Sequence, residues 1–123
     1  MRVVDRKTFL SLPAGTIYCK GVKWAFDSLS IKDDSLANDW FYLDPAWPSA
    51  HESGVAVELL EQSLETGSSF PGDDATGRDG CFNEDAVFLI FEVPDLLDLK
   101  SLIETAISVA PKPDAAGQGG LDP

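Results

Sequence analysis

Histidine and cysteine, which often carry catalysis or hold transition metals, are scarce in this chain. Among its 123 residues there is one histidine, His51, and there are two cysteines, Cys19 and Cys81. Two cysteines make neither a disulfide framework nor a multi-cysteine zinc site, so we interpret both as reduced thiols. His51, Cys81 and Asp79 are the components of a thiol-nucleophile site, but their spacing matches no catalytic motif. The sequence therefore predicts no catalytic residue, no metal site and no cofactor.

Long apolar runs and phosphate-binding motifs are also missing. No apolar run reaches the roughly 18 residues of a membrane helix. Residues 1–7 carry charges with no apolar segment behind them, so we expect no signal peptide and a cytoplasmic location. Residues 77–80 lack the lysine and the spacing of a phosphate-binding loop. Residues 73–84 have the length of an EF-hand loop but not its ligand pattern, so they predict a solvated acidic loop.

Basic residues are few compared with acidic ones. Nine Lys and Arg are opposed by 21 Asp and Glu, which gives a net charge of −12. Residues 1–32 have six basic and two acidic side chains, a net of +4, whereas residues 33–123 have three basic and 19 acidic ones, a net of −16. Such a field repels nucleic acids and anionic membranes and attracts basic surfaces. The charge therefore argues against direct nucleic-acid or membrane binding and favours a protein partner with a basic surface.

The longest apolar run is residues 86–93, which contain both β-branched and aromatic side chains. The run has no polar alternation. It therefore predicts a strand that is covered on both faces, or on one face with the other forming part of the core. We expect the remaining elements to pack beside or over this strand.

Shorter patterns predict the elements of the N-terminal half. Asp5 is placed to cap a short helix over residues 6–12, which Pro13 ends. Three strands follow by composition, joined by short links that favour an antiparallel meander. They are predicted over residues 16–20, 24–32 and 39–44.

Details within these strands are also predicted. The apolar period of the second strand slips by one residue, which indicates a bulge near Asp27 and Ser28. Residues 33–35 predict a turn. Trp24 and Trp40 fit strands and are expected in the core.

The C-terminal half predicts two longer helices. Residues 54–66 form the first, with Ser53 as its cap and Gly67 as its stop. Residues 68–79, rich in Gly, Asp and Ser, predict a loop. Pro94 then begins a second helix. The apolar face of that helix consists of Leu96, Leu99, Leu102, Ile103, Ala106 and Ile107.

Together these elements predict an α+β fold. A mostly antiparallel sheet of about four strands packs against two main helices in a single domain, residues 1–110. Residues 111–123 have few core-forming side chains and predict a disordered tail.

Two stretches together resemble a known group of proteins. Residues 4–18 (VDRKTFLSLPAGTIY) with 26–32, and residues 78–85 (RDGCFNED) with the aromatic strand and Pro94-Asp95 behind them, resemble small acidic proteins encoded by bacteriophages and prophages. Residues 45–77 and the tail differ from that group. The resemblance implies a phage accessory protein acting in the cytoplasm of a bacterial host, and it assigns no functional residue.

An acidic stripe is the most suggestive functional feature. On a helix over residues 54–66, apolar residues fall on one broad side and acidic residues on a narrower opposite stripe. Two interpretations are open: a solvated helix face, and a surface that imitates spaced phosphates and occupies a basic groove. The acidic residues concerned are Glu52, Glu58, Glu61, Glu65, Asp73 and Asp74.

Trp47 is a second candidate for recognition. It lies between Pro45 and Pro48 in a predicted loop, where it either packs locally or serves as an exposed interface anchor. Aspartates of the sheet offer a different chemistry, because two carboxylates on neighbouring strands are what hydrolases and metal sites use. The aspartates concerned are Asp27, Asp33, Asp34, Asp39 and Asp44.

The sequence thus leads to one main functional hypothesis and two alternatives. The main hypothesis is a non-enzymatic inhibitor of a host protein with a basic, nucleic-acid-binding surface, such as an anti-CRISPR or anti-restriction protein. Its partner-binding residues would be Glu58, Glu61, Glu65, Asp73, Asp74 and Trp47. The alternatives are a small hydrolase or metal-binding protein that uses the sheet aspartates, and a virion or assembly component. A homodimer is left open.

Overall fold

The computed structural model describes residues 1–22, 24–48, 53–80 and 83–111, with the backbone alone for residues 46–48, 53 and 73–75. The predicted α+β class with an antiparallel sheet is confirmed, but six strands replace about four, and three helices replace two main ones. In chain order the elements are β1 (Arg2–Asp5), α1 (Arg6–Leu10), β2 (Ile17–Val22), β3 (Ala25–Leu36), β4 (Asp39–Pro48), α2 (Ser53–Thr66), β5 (Gly72–Arg78), β6 (Val87–Ile90) and α3 (Val93–Val109).

The sheet has the order β1-β6-β2-β3-β4-β5, and every neighbouring pair is antiparallel. β6 consists of residues 87–90 of the long apolar run, and it lies between β1 and β2. β2, β3 and β4 form the predicted meander. The sequence analysis did not predict β1. Its four residues pair with β6, which lies more than eighty residues later in the chain, so no local pattern indicates the strand.

The long strands bend at irregular positions. The register of β2 with β3 shifts between Cys19 and Gly21 and leaves an extra residue at Asp27 and Ser28, so the predicted bulge is confirmed. The predicted turn over residues 33–35 is wrong. β3 continues through it to Leu36, and the register shift against β4 marks a second bulge there.

The predicted loop over residues 68–79 is partly wrong, because Gly72–Arg78 pairs with β4 as the edge strand β5. Its composition is unusual for a strand, but acidic side chains suit an edge because they hinder pairing with other chains. A register shift between Asp44 and Trp47 lets β4 extend past Pro45 to Pro48, consistent with the tolerance of bulges for proline.

One face of the sheet, here called the inner face, carries the aromatic core. The Asp5 carboxylate accepts a hydrogen bond from the Thr8 backbone N–H at 2.8 Å and so caps α1, as predicted. α1 then places Phe9 flat against Phe88 of β6, with ring centroids 4.0 Å apart. Tyr18 and Trp40 complete this fully buried cluster.

The opposite face, here called the outer face, is only partly covered. Its residues alternate with the core residues along the same strands, and the described helices leave them half-buried or exposed. They form cross-strand pairs and comprise Val3, Leu89, Cys19, Leu29, Ile17, Ile31 and Leu43.

The helices contribute less to the core than the sequence predicts. α2 contacts β4 and buries Ala56, and it ends as predicted at Gly67, whose φ is +74°. On the predicted apolar face of α3, Leu96 and Leu99 are half-buried and the other four residues are exposed, so the predicted packing against the sheet is wrong for the second half of the helix. None of the described helices combines the length and the apolar character needed to cross a bilayer. The predicted tail, beyond Pro111, lies outside the described residues.

Candidate functional site

The acidic stripe occupies the exposed side of α2. Residues three and four apart lie on the same side of a helix, so Glu58, Glu61 and Glu65 form a continuous row. All three are exposed, and no ion pair among the described residues involves them. The predicted row therefore exists, with its charges facing solvent.

An apolar strip runs beside the acidic row, where the sequence predicted buried residues. α2 faces β4 through a narrow side on which Ala56 is buried and Leu59 and Ser63 are half-buried. The rest of the predicted apolar side is exposed, and Leu64 reaches 89% exposure. The strip adjoining the glutamates consists of Val57, Leu60 and Leu64.

Three further predicted site residues lie on the strands next to α2. Trp47 of β4 and Asp73 of β5 are cross-strand partners, and Asp74 is the next residue of β5. α2 contacts β4, and β4 pairs with β5, so the predicted residues lie on three elements that are neighbours in the fold. The side chains of these three residues are not among those described. Glu52, His51 and Cys81 lie outside the described residues.

Trp24 is a candidate that the sequence misplaced. Pairing of Val22 with Ala25 puts it in the hairpin turn between β2 and β3, so its predicted place in the core is wrong. It is 76% exposed, and its φ of +71° lies in the left-handed region that bulky side chains avoid. The predicted burial of Trp40 is confirmed at 1% exposure.

Some of the sheet aspartates line a polar cavity of about 360 Å³ on the inner face. Asp27 and Asp44 line it, and Asp44 accepts a hydrogen bond from the Ser30 hydroxyl at 2.8 Å. Its aromatic wall is formed by Tyr18, Trp40 and Tyr42. Such a lining can bind a small polar molecule through carboxylates and hydroxyls. Among the described residues, no group of three or more His, Cys, Asp or Glu is arranged to hold a metal ion.

Other acidic residues near the cavity stabilise the fold. Asp79 is nearly buried and accepts a hydrogen bond from Lys20 Nζ at 2.6 Å, with Arg6 Nη2 3.5 Å away. Asp39 accepts hydrogen bonds from the Gly80 backbone N–H at 3.0 and 3.1 Å and pairs with Arg78. These contacts fasten the end of β5 to α1, β2 and β4. Asp33 and Asp34 lie at the second bulge, away from this cavity's lining.

Burial also sets the chemistry of the cavity wall. The Tyr18 hydroxyl accepts a hydrogen bond from Trp40 Nε1 at 2.9 Å, and burial raises the pKa of that hydroxyl well above its usual range. Burial raises the pKa of Tyr42 in the same direction. Both phenols are therefore neutral hydrogen-bonding groups at physiological pH, unsuited to act as bases there.

Of the predicted partner-binding residues, Glu58, Glu61 and Glu65 share one side of α2, and the others lie on β4 and β5. The cavity gathers two of the five sheet aspartates. Comparison of the chain with family models, with curated proteins and with solved structures gives no match.

Proposed function

We propose that this protein binds a host protein through the exposed side of α2 and occupies a basic, nucleic-acid-binding surface on it. The observation that carries the proposal is the row Glu58, Glu61 and Glu65 running beside the exposed strip Val57, Leu60 and Leu64. A helix side that only faces solvent would account for the row of glutamates. It would not account for the exposed apolar strip beside them, which favours an interface.

The two rows suit different parts of one interface. Specific interfaces combine an apolar centre, which supplies much of the affinity, with a polar rim that sets orientation and partner choice. The leucines of α2 supply an apolar centre and the glutamates an acidic rim. A groove that is apolar along its floor and basic along its edge is the matching surface, as in other helix-in-groove complexes.

The charge of the whole chain supports the same kind of partner. A net charge of −12 speeds encounter with basic surfaces and slows encounter with acidic ones. A bound acidic protein blocks nucleic acid from the same surface, which inhibits the host protein without catalysis. Inhibition of a CRISPR effector or a restriction enzyme in a phage-infected cell is the setting that the resemblance to phage proteins suggests.

The test is a comparison of baits in a bacterial lysate. The wild-type chain should capture a nucleic-acid-binding protein, identified by mass, and duplex DNA should displace it. The triple variant Glu58→Lys, Glu61→Lys, Glu65→Lys reverses three exposed charges that form no ion pair within the described part of the chain. It should bind the purified partner on the order of 100-fold more weakly, since like charges then meet across the interface.

A matched control separates the acidic row from overall charge. The variant Glu84→Lys, Asp98→Lys, Glu104→Lys makes the same change in net charge at three exposed sites away from α2. It should bind the partner nearly as tightly as the wild type. Equal loss in both variants would show that only net charge matters, and unchanged binding in the α2 variant would refute the proposal.

A further inference from the structure

α3 is an amphipathic helix whose second half, from Lys100 onward, is exposed in the described chain. Its polar residues Ser101, Thr105 and Ser108 lie on one side together with Leu97, and most of its apolar residues lie on the other. On that apolar side Leu96 and Leu99 are half-buried, whereas its residues from Leu102 onward are exposed, with Ile107 at 71%. The exposed part of the apolar side consists of Leu102, Ile103, Ala106 and Ile107.

The outer face of the sheet is a second apolar surface, which the described chain covers only in part. An antiparallel sheet with one solvated face normally alternates apolar and polar residues along its strands. β6 does not: Phe88 and Ile90 are buried on the inner face, whereas Val87 and Leu89 face outward and are only half-buried. An outward-facing apolar row in a central strand indicates that something covers it.

The two surfaces are similar in length. Beyond its first turn, α3 continues over residues 97–109, which at ~1.5 Å per residue gives a length of about 20 Å. The outer-face residues lie on five neighbouring strands, which at ~4.8 Å spacing gives a width of about 19 Å. This part of the helix is therefore long enough to cross the five strands.

Contacts at the start of α3 fix the position of its first turn. Only Phe91 and Glu92 separate it from β6. The Met1 ammonium group lies 2.8 Å from the Asp95 carboxylate and 3.3 Å from that of Glu92, which fixes the first turn at the end of β1. Residues 112–123 contain one large apolar side chain, Leu121, and so offer little to cover either surface.

We propose that two copies of this chain form a two-fold symmetric dimer in which α3 of each copy lies across the outer face of the other. One symmetric interface then covers both apolar surfaces of both copies, as isologous association requires. Two contacts of about 20 by 10 Å have a combined footprint, counting both sides, of about 800 Å². The accessible area of such corrugated surfaces is larger than the footprint, which brings it towards the lower bound of specific interfaces, roughly 1,200 Å².

Sedimentation equilibrium of the purified chain tests the proposal. The wild type should sediment at twice the 13.3 kDa of one chain at micromolar concentration. The triple variant Leu102→Glu, Ile103→Glu, Ile107→Glu should keep its fold, because these side chains are exposed in the single chain, and should dimerise on the order of 100-fold more weakly. A monomeric wild type at about 100 μM would overturn the proposal.

The matched control adds the same charge to the other side of the helix. The variant Ser101→Glu, Thr105→Glu, Ser108→Glu should remain dimeric, because these residues point away from the partner. Dissociation of both triple variants, or of neither, would contradict a dimer held by the apolar side of α3.

Crosslinking tests the helix-on-sheet arrangement. In a Cys81→Ser background, Ile103→Cys leaves the introduced thiol and Cys19 of the outer face as the only two. A bismaleimide should join two chains into a covalent dimer, and adding Cys19→Ser should abolish this product. Ser108→Cys in place of Ile103→Cys should give little product. A covalent dimer that persists without Cys19 would show helix-to-helix contact instead and would overturn this arrangement.

Discussion

At the scale of single residues, Trp24 is the position where sequence and structure disagree most informatively. A bulky side chain in the left-handed region costs on the order of 1–2 kcal/mol, and a side chain that is 76% exposed recovers little of that by packing. Asparagine or glycine would fit the same turn without the strain. The retained tryptophan is therefore a second candidate anchor for a partner, at the tip of the β2–β3 hairpin.

Replacing this residue separates strain from binding. Trp24→Gly should raise the free energy of unfolding by about 1 kcal/mol, because glycine adopts a positive φ freely. Ala37→Gly is the matched control, since Ala37 lies in the next hairpin turn with φ +51° and should stabilise the fold similarly. Urea denaturation measures both changes. If Trp24 anchors a partner, Trp24→Gly alone should also weaken capture of that partner, and a destabilised Trp24→Gly chain would contradict the strain argument.

At the scale of secondary-structure elements, local sequence predicted those elements whose signals are local. The α1 cap at Asp5, the α2 stop at Gly67 and the strand around Phe88 depend on side chains within a few residues, and all three are confirmed. β5 has no such signal. Its strand conformation is imposed by β4, about thirty residues away in the chain.

The same distinction applies to the candidate site. Helical periodicity predicts that Glu58, Glu61 and Glu65 share one side of α2, because that follows from the geometry of the helix alone. It cannot show that Leu60 and Leu64 beside them stay exposed, since that depends on how narrowly α2 meets β4. The exposure of the second half of α3 was likewise not predicted, because it depends on how the helix packs against distant parts of the chain and not on helical periodicity.

The cap of α1 gives a prediction at this scale that depends on pH. Hydrogen bonding by Thr8, chiefly from its backbone N–H, lowers the pKa of the Asp5 carboxyl below its ordinary 3.8. A pKa that is lower in the folded state stabilises the fold above the unfolded-state value, and this contribution is lost as the pH falls through the folded-state value. Asp5→Ala should therefore be less stable than the wild type at pH 7, with the difference closing in acid.

Urea denaturation between neutral pH and about pH 2 measures this difference. Asp5→Asn is the control, because asparagine caps a helix without a charge and should retain much of the stability with a weaker dependence on pH. A gap between Asp5→Ala and the wild type that stays constant into acid would show that Asp5 does not act through its charged cap.

At the scale of the whole molecule, two electrostatic effects oppose each other. The ion pairs of Asp79 with Lys20 and Arg6 are nearly buried, so salt screens them weakly, whereas those of Met1 and Arg2 with Glu92 and Asp95 are partly exposed and contribute little. The net charge of −12 acts through solvent, where the screening length is about 10 Å at 0.1 M salt. Salt should therefore relieve self-repulsion more than it weakens the ion pairs.

The melting temperature should accordingly rise with added sodium chloride, and the rise should grow with net charge. Each Glu→Lys exchange adds two charges, so the α2 triple variant has a net charge of −6, whereas either α3 triple variant, with three added carboxylates, has −15. Between about 0.02 and 0.5 M salt we expect the increase in melting temperature to be largest for the variants at −15, smaller for the wild type at −12 and smallest for the variant at −6.

The two α3 variants have the same net charge but are expected to differ in dimerisation. Equal shifts in these two would therefore assign the effect to self-repulsion within one chain, and a shift confined to the dimeric one would assign it to the interface. A melting temperature that falls with salt in all four proteins would instead mean that the ion pairs outweigh the net charge.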